Sequence, residues 1–423
     1  MIRDSASPAP ADALTASSGV SARAAVTAIY TYFVVTVSFL DTMAQLPLLS
    51  PFAASLGAGP TSIGFILGAY SLVNMMGNVI AGPVIDRIGR RYTIASGMLV
   101  AGLAVAAYAF VVAPWQLLGA RLLHGLGGAV LVPAVFAHVG DRSRGGRTGQ
   151  AMGHAGAAVA VAAMVGPALG GIGRSALGIR PVFLILGGLL VGTSISVALF
   201  VRDRSGSAAT RRGPLDLSGI RRAAADRALR YAYLSVSSLT FAMGVLAYAF
   251  PLSMQAAGAS AGRTGSFFSV FSAAAILVLV LPTNRLSDRY GRPPMVVIGS
   301  AAVAIAVTGL VFARQTGHLT LVMALFGIGY GVLFPSACAI VVDRTDATTR
   351  GTAFGLFYAA FSLGVTVGPV AAGVATVVGF SPYWAAVGVI VTIRLLLGAN
   401  RNRRQPKALT DAPSDPPRAD LHR

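Results

Sequence analysis

The sequence has no glutamate, one lysine and one cysteine among its 423 residues, and charged residues make up only 11% of it. Without glutamate, all 14 acidic residues are aspartates, and zinc peptidase motifs that need a glutamate are excluded. The single cysteine, Cys338, excludes an intramolecular disulfide bond and a cysteine metal cluster. Carboxylates, histidines and thiols are not clustered along the chain, so we expect no enzyme, no bound metal and no cofactor.

Apolar residues, in contrast, are abundant and make up 55% of the chain. A soluble domain usually carries about 25% charged residues, so lipid is the expected solvent. Hydropathy predicts twelve apolar runs, each close to the length of about 20 residues that a helix needs to cross a bilayer. They lie near residues 26–48, 62–82, 93–112, 115–139, 150–172, 181–201, 231–254, 264–283, 295–313, 319–342, 351–377 and 383–400. We therefore predict an all-α membrane protein with twelve transmembrane helices.

The net charge of +19 would suit a nucleic-acid partner, but the positions of the basic residues argue against one. With the N-terminus placed in the cytoplasm, 27 of the 33 basic residues fall in tails and inner loops, and two lie within spans. The four predicted outside are Arg174, Arg180, Arg263 and Arg314. This positive-inside bias predicts a multi-pass protein in the lipid bilayer with both termini cytoplasmic. Abundant Ala and Arg beside a single Lys suggest a bacterium, and hence its inner membrane.

Polar segments divide the chain into two apolar halves. Residues 1–24 and 401–423 have the composition of a disordered leader and a disordered tail. Residues 25–201 and 230–400 each hold six predicted helices, and residues 202–229 form a cytoplasmic linker between them. This linker is either plain or carries a short basic amphipathic helix that lies on anionic lipid.

The two halves repeat each other at an offset of 202 residues. The segment Asp86-Arg87-Ile88-Gly89-Arg90 recurs as Asp288-Arg289-Tyr290-Gly291-Arg292. Further pairs at this offset are Gly125 and Gly327, Gly127 and Gly329, Pro133 and Pro335, Asp141 and Asp343, and Gly166-Pro167 and Gly368-Pro369. An even number of helices per repeat gives both halves the same membrane orientation, so we predict two parallel six-helix repeats.

The loop between the second and third spans, Gly82-Pro83-Val84-Ile85-Asp86-Arg87-Ile88-Gly89-Arg90-Arg91, resembles the signature loop of the major facilitator superfamily of transporters. Its second copy has Asn284 in place of the leading glycine. The resemblance implies the major facilitator fold and a gating role for both loops, with the Asp facing a helix N-terminus of the other half. The expected gating residues are Gly82, Asp86, Arg87, Gly89, Arg90, Asp288, Arg289, Gly291 and Arg292. The alternative is that these charges merely fix the topology.

The fifth predicted span resembles the antiporter motif of the same superfamily, which occurs mainly in exporters that exchange substrate for protons. Its residues here are Gly153, Gly166, Pro167, Gly170 and Gly171, with Ala162 at the position of the usual central glycine. Small residues four apart also let helices pack closely, which is the structural alternative. The resemblance favours export over import.

Asp41 is the only one of the 14 aspartates that lies well inside a predicted span. A carboxylate in hydrocarbon is costly, so an intramembrane acid indicates a function by default. Its neighbours one turn away, Val37, Ser38, Ala44 and Gln45, form a mildly polar face that suits a cavity. We predict that Asp41 binds and releases protons as access alternates between the two sides of the membrane. The alternative is a structural ion pair.

Arg121, in the fourth predicted span, is the expected partner of Asp41. The segment that begins at Arg121 resembles a superfamily motif in which an intramembrane Arg is followed four residues later by Gly. At the offset of 202, Asp41 and Arg121 correspond to Met243 and Met323, so we expect proton coupling in the first half alone. His124, one turn from Arg121, is a candidate relay because histidine titrates near neutral pH; the alternative is a packing residue.

The candidate substrate contacts are Gln45, Asn74, Asn78, Tyr248 and Tyr358, with helix-packing hydrogen bonds as the alternative. Arg394, near the end of the last span, is expected to reach out to the membrane interface. Together these features predict a monomeric, proton-coupled exporter of small amphiphilic molecules, such as drugs or a secreted metabolite, that works by alternating access. A proton-coupled importer of a nutrient is the alternative within transport. A non-transporting membrane sensor is the alternative from another class.

Overall fold

The computed structural model describes residues 11–142, 148–201, 217–281, 289–346 and 349–402. In these ranges the regular structure consists of 14 α-helices and one 3₁₀ turn. Asp288 and most of the predicted C-terminal tail lie outside the described residues, as do the first ten residues of the predicted leader. Helix α1 begins at Ala11, so its first turns are formed by the remainder of that leader.

The first seven helices follow one another with short connections. They are α1 (Ala11–Gln45), α2 (Leu49–Ser55), α3 (Pro60–Ile88), α4 (Arg90–Ala107), α5 (Pro114–Arg142), α6 (Thr148–Leu177) and α7 (Ile179–Phe200), with the 3₁₀ turn Tyr108–Phe110 after α4. The other seven are α8 (Leu217–Ala225), α9 (Arg227–Ala256), α10 (Ala261–Val280), α11 (Arg292–Phe312), α12 (Thr316–Asp343), α13 (Arg350–Val377) and α14 (Pro382–Asn402).

Most of these helices have the length and composition of membrane spans. Nine described helices meet that standard, and ten do so if the pair Ala28–Gln45 and Leu49–Ser55, bent by 47°, is one span. Helix α3, with 29 residues, and α14, whose apolar part is Pro382–Gly398, occupy the second and twelfth places in the predicted series. The predicted all-α membrane fold is confirmed.

The backbone repeats as the sequence does. Three glycines with positive φ in the first half, Gly57, Gly89 and Gly178, have counterparts at Gly258, Gly291 and Gly379. The offsets are 258 − 57 = 201, 291 − 89 = 202 and 379 − 178 = 201. Gly89 and Gly291 have φ of 83° and 87°, a region that costs other residues free energy, and each directly precedes a helix, α4 or α11. The glycine of each signature loop is therefore required by the turn itself.

Two seams join the halves, α3 against α13 and α6 against α10. Contact there is backbone to backbone: a side chain at Gly64 would overlap the carbonyl group of Pro369, and one at Gly171 would overlap that of Ala261. Both contacts lie at the end of the bundle where α3 and α10 begin and where α6 and α13 end. We term this the closed end of the bundle.

The opposite end, which we term the open end, is different. Gly153 and Gly156 in α6, and Gly351 and Gly355 in α13, have open space where a side chain would stand. Helices α6 and α13 therefore pack tightly against the other half near their C-termini, whereas their glycines near the N-termini are not in close contact with a neighbouring helix.

The predicted linker contains a helix, α8, which packs against α9 and α13. Asp226 follows it and caps α9, accepting hydrogen bonds from the backbone N–H groups of Ala228 (2.8 Å) and Leu229 (2.9 Å). Its carboxylate also lies 3.1 Å from a guanidinium nitrogen of Arg344, at the end of α12. Desolvation raises the pKa of Asp226, but the hydrogen bonds from Leu229, Arg344 and Ala228 outweigh it, so the pKa is lowered overall. These contacts hold α8 to the second half.

Candidate functional site

Four polar side chains are buried together between α1 and α5, although the surrounding helices are apolar. Asp41 and Gln45 lie one turn apart on α1, and Arg121 and His124 lie one turn apart on α5. Each of the four residues is at most 6% exposed. Burying two charged groups in a membrane bundle is costly, so such a cluster needs internal partners or a function.

Asp41 contacts His124, with 2.8 Å between the carboxylate Oδ2 and the imidazole Nε2. The hydroxyl group of Thr42 donates to the other carboxylate oxygen at 3.3 Å. On the far side of the ring, the hydroxyl group of Tyr108 lies 3.0 Å from Nδ1 of His124. The 2.8 Å contact has the distance of an ion pair, although Oδ2 of Asp41 has no hydrogen bond of regular geometry among the described residues. At Nδ1, the Tyr108 hydroxyl group donates or accepts according to the tautomer of His124.

Arg121 is bound to neutral groups. Its guanidinium donates to Oε1 of Gln45 (3.3 Å) and to the backbone carbonyl oxygens of Ile66 (3.3 Å) and Leu67 (3.2 Å) in α3. It also stands 5.0 Å from the centre of the Tyr70 ring, a cation–π distance.

The pairing therefore differs from the expected one between Asp41 and Arg121. Helices α1 and α5 run in opposite directions, so a step of one turn along α1 matches a step of one turn back along α5. Asp41 consequently meets His124, and Gln45 meets Arg121. The amide nitrogen of Gln45 is buried and has no hydrogen-bond partner among the described residues.

The second half has an apolar core at the matching positions. The offset of 202 takes Arg121 to Met323 and His124 to Phe326, and both of these residues are completely buried. The ring of Phe326 packs edge-on against Phe271 at 5.4 Å. In the described structure, the polar cluster thus belongs to the first half, as the self-comparison of the sequence indicated.

The glycines of α6 pack directly beside this cluster. A side chain at Gly166 would press on Met43 and Ala44, and one at Gly170 would overlap the carbonyl group of Ala44. The next residue, Gly171, faces the seam with α10. This part of the antiporter-like motif therefore holds the segment of α1 between Asp41 and Gln45 close to α6.

The other candidate residues lie in different surroundings. Tyr248 is buried at the closed end and donates to the carbonyl oxygen of Pro60 (3.1 Å), so its hydroxyl group joins the two halves. Tyr358 is 53% exposed beside the rings of Phe354 and Phe357. Gln45 belongs to the buried cluster described above, and Asn74 lies on α3, where its amide nitrogen is near Gly128 of α5.

Only part of the two gating loops is described. Arg292 forms an ion pair of 3.2 Å with Asp343 in its own half, and Arg289 stands 5.5 Å from the centre of the Tyr290 ring. Arg87 is exposed in the last turn of α3, and Arg90 begins α4. Gly82 lies in α3, whereas the side chains of Asn78 and Asp86, like the whole of Asp288, lie outside the described residues.

Sequence reasoning did not include Tyr70 and Tyr108 in the site. A tyrosine inside or at the end of an apolar span carries little local signal, because it commonly packs or lies at the interface. The repeat offers a signal, since the offset of 202 takes Tyr70 to Ser272 and Tyr108 to Leu310. Both tyrosines are thus absent from the second half, as Asp41, Arg121 and His124 are.

Comparison with known proteins assigns the family. The family model of the Major Facilitator Superfamily matches the chain twice, over residues 31–237 and 232–421, once for each half. The chain therefore belongs to the Major Facilitator Superfamily of membrane transporters.

Relatives and solved structures agree with this membership. The chain is 25% identical to a protein of Lactococcus lactis named multi-drug resistance efflux pump PmrA homolog, over 81% of this chain and 85% of that one. It is 23% identical to multidrug resistance protein 2 of Bacillus subtilis, over 80% and 86% of the two chains. A bacterial homologue of the human lysosomal transporter Spinster, solved in an inward-facing conformation, superposes with a TM-score of 0.73 at 14% identity, covering 89% of this chain and 95% of that one.

Proposed function

We propose that the protein is a proton-coupled exporter of small amphiphilic molecules, with Asp41 and His124 as the groups that take up and release the proton. The observation that carries the proposal is the buried contact of 2.8 Å between these two titratable side chains inside the membrane bundle. No catalytic step is needed, because transport requires only that the site change its charge and its exposure together.

The charges of the cluster explain why a proton would bias the conformation. With a neutral His124, the negative Asp41 and the positive Arg121 sum to zero. Uptake of one proton at Asp41 or His124 leaves a net charge of +1 in a desolvated site, which is a costly state. Protonation therefore favours a conformation in which the cluster meets water. The proton acts here as a ligand, and it shifts the conformational equilibrium by the difference between its binding free energies in the two conformations.

The proposed direction is outward. The relatives that are named multidrug resistance efflux pumps support it, as does the glycine motif of α6 packed against the Asp41 segment. We place the closed end outside, because the four arginines of the predicted outer loops lie at that end. In this orientation the open end faces the cytoplasm, from which an exporter loads its substrate.

The proposed substrate class follows from the aromatic side chains near the open end. Near the open end, α13 carries an aromatic cluster of the exposed Tyr358 with Phe354 and Phe357, whereas the first half carries the titratable groups. An aromatic surface binds planar apolar molecules and also attracts cations over its rings. Amphiphilic compounds, neutral or cationic, suit such a surface best.

The test uses proteoliposomes with a pH-sensitive dye inside and an imposed proton gradient. Lipophilic cations, antibiotics and metal chelators are added one at a time to wild type, Asp41→Asn and the control Asp226→Asn, which changes an aspartate outside the membrane bundle. We expect substrates to cause proton flux in the opposite direction with wild type and the control, and none with Asp41→Asn. Proton flux in the same direction as the substrate would make the protein an importer. Equal coupling in Asp41→Asn and wild type would leave Asp41 a structural role only.

A further inference from the structure

Arg394 is a second arginine inside a membrane-spanning helix, and its side chain turns toward the bundle. It lies within the apolar part of α14 but reaches α9, where its guanidinium donates to the hydroxyl groups of Tyr231 (3.1 Å) and Ser235. It also stands 5.1 Å from the centre of the Tyr231 ring. The expectation that this side chain reaches out to the interface is thus replaced by a contact between two helices.

The two hydroxyl groups supply no negative charge. Tyr231 donates its own hydrogen to the carbonyl oxygen of Pro293 (3.2 Å), and Ser235 donates to the carbonyl oxygen of Tyr231 (2.5 Å). Both oxygens are therefore acceptors for Arg394 and remain neutral. The guanidinium Nε is buried and has no hydrogen-bond partner among the described residues.

Two other arginines at this end of the second half have acidic partners. Arg292 pairs with Asp343 at 3.2 Å, and Arg344 pairs with Asp226 at 3.1 Å, although these pairs are more exposed to solvent. Arg394 has no carboxylate within ion-pair distance in the described part of the chain. A largely buried cation without a counter-charge is unfavourable, and a spare N–H group adds to the cost, so the site is suited to an anion.

The position of the site points to the membrane surface. Arg394 lies four residues before Gly398, where the apolar stretch ends, a distance of about 6 Å along a helix. Its neighbours Leu395 and Leu396 are 66% and 59% exposed, as expected for lipid-facing side chains. Arg227, Tyr231 and Ser235 are spaced four apart on α9, so a basic residue lies on the same face toward the helix end.

We propose that Arg394, supported by Tyr231 and Ser235, binds the phosphate group of an anionic phospholipid between α9 and α14. A guanidinium matches the oxygens of a phosphate in a forked pair of hydrogen bonds, and the exposed leucines beside it accommodate the acyl chains. Free phosphate offers the same anionic group without the chains. The proposal concerns the lipid environment of the second half and is independent of proton coupling at Asp41.

The experiment measures thermal unfolding of the full chain in detergent, titrated with phosphatidylglycerol, with phosphatidylcholine or with inorganic phosphate. We expect stabilisation by phosphatidylglycerol alone, lost in Arg394→Gln. Arg394→Lys keeps the positive charge and so shows whether loss of the response in Arg394→Gln comes only from a folding defect. In Arg394→Lys we expect an apparent affinity for phosphatidylglycerol about tenfold weaker than in wild type, because an ammonium group lacks the forked geometry of a guanidinium. The matched control Arg222→Gln removes an exposed charge near the end of α8, and one such charge near a membrane surface accounts for about a fivefold effect at most.

Three outcomes would overturn the proposal. Arg394→Gln could keep the full response to phosphatidylglycerol, or Arg222→Gln could lose as much as Arg394→Gln, which would reduce the effect to general surface charge. Inorganic phosphate could stabilise wild type as strongly as the lipid does, and the site would then take a soluble anion. Loss of the lipid response in Arg394→Gln, together with a weakened but retained response in Arg394→Lys and an intact control, supports the site.

Discussion

The hydroxyl group of Tyr108 lies 3.0 Å from Nδ1 of His124, on the side of the imidazole opposite Asp41. The ring of Tyr70 packs against the same imidazole, with 4.7 Å between ring centres. His124 is therefore held in one orientation by two tyrosines, with Nε2 directed at the carboxylate. A hydrogen bond to one ring nitrogen of a histidine fixes the orientation of the ring and therefore of its other nitrogen.

Replacing Tyr108 by phenylalanine tests this arrangement. Tyr108→Phe keeps the ring, which packs against Phe183 at 5.3 Å, and removes only the hydroxyl group. We expect the melting temperature to fall slightly, since a net hydrogen bond is worth about 1 kcal/mol, and proton-driven transport to fall by a larger factor because His124 is no longer oriented. Proteoliposome transport and thermal unfolding are measured on the same preparation. Unchanged transport in a stably folded variant would show that the hydroxyl group does not position His124.

Replacing His124 by glutamine separates a relay from a packing residue. Glutamine keeps a polar N–H group beside Asp41 but cannot take up a proton near neutral pH. If His124 carries the proton, His124→Gln should lose substrate-dependent proton flux as Asp41→Asn does. The proton flux is read with the dye inside the vesicles. His154, exposed near the start of α6, provides the matched control, and His154→Gln should transport as wild type does.

The polar cluster shows how far the sequence alone reached. Asp41 and Arg121 were recognisable because a charge inside an apolar span is rare and has no copy in the second half. Their partners were not, since which turn of α1 meets which turn of α5 depends on how the two helices pack. The sequence spacing suits an Asp41–Arg121 pair as well as the Asp41–His124 contact that the structure contains.

The fold was more accessible than the site. The twelve apolar runs and the repeat at 202 residues can be predicted from composition and spacing. The family model matches once in each half because the two halves repeat each other. Helix α8 was left open between two interpretations, because a nine-residue helix carries little signal of its own and depends on its packing against α9 and α13. The bend between α1 and α2 was not predicted either, although Pro47 and Pro51 lie beside it.

Two glycines of α6 should respond differently to the same change. A methyl group at Gly170 would overlap the carbonyl group of Ala44, whereas one at Gly153 meets open space. We expect Gly170→Ala to destabilise the protein by about 1–3 kcal/mol, the usual cost of overpacking. Gly153→Ala should be neutral or stabilising by up to about 1 kcal/mol, since alanine is the better helix former. Thermal unfolding in detergent compares them, and equal effects would contradict the close approach of α6 to α1.

The ion pair between Asp226 and Arg344 should make stability depend on pH. The pKa of Asp226 is lowered in the folded protein, so the pair stabilises the fold above the pKa of an unfolded aspartate, about 3.9, and this contribution is lost as pH falls through the lowered value. The pair is partly exposed, so its contribution is about 1 kcal/mol or less. The difference in melting temperature between wild type and Arg344→Gln should therefore be constant near neutral pH and shrink below about pH 4. Arg314→Gln, which alters an arginine between α11 and α12, serves as the control and should show no such change. A difference that does not shrink at all below pH 4, or that shrinks equally in the control, would mean that Arg344 acts through packing and not through the charge of Asp226.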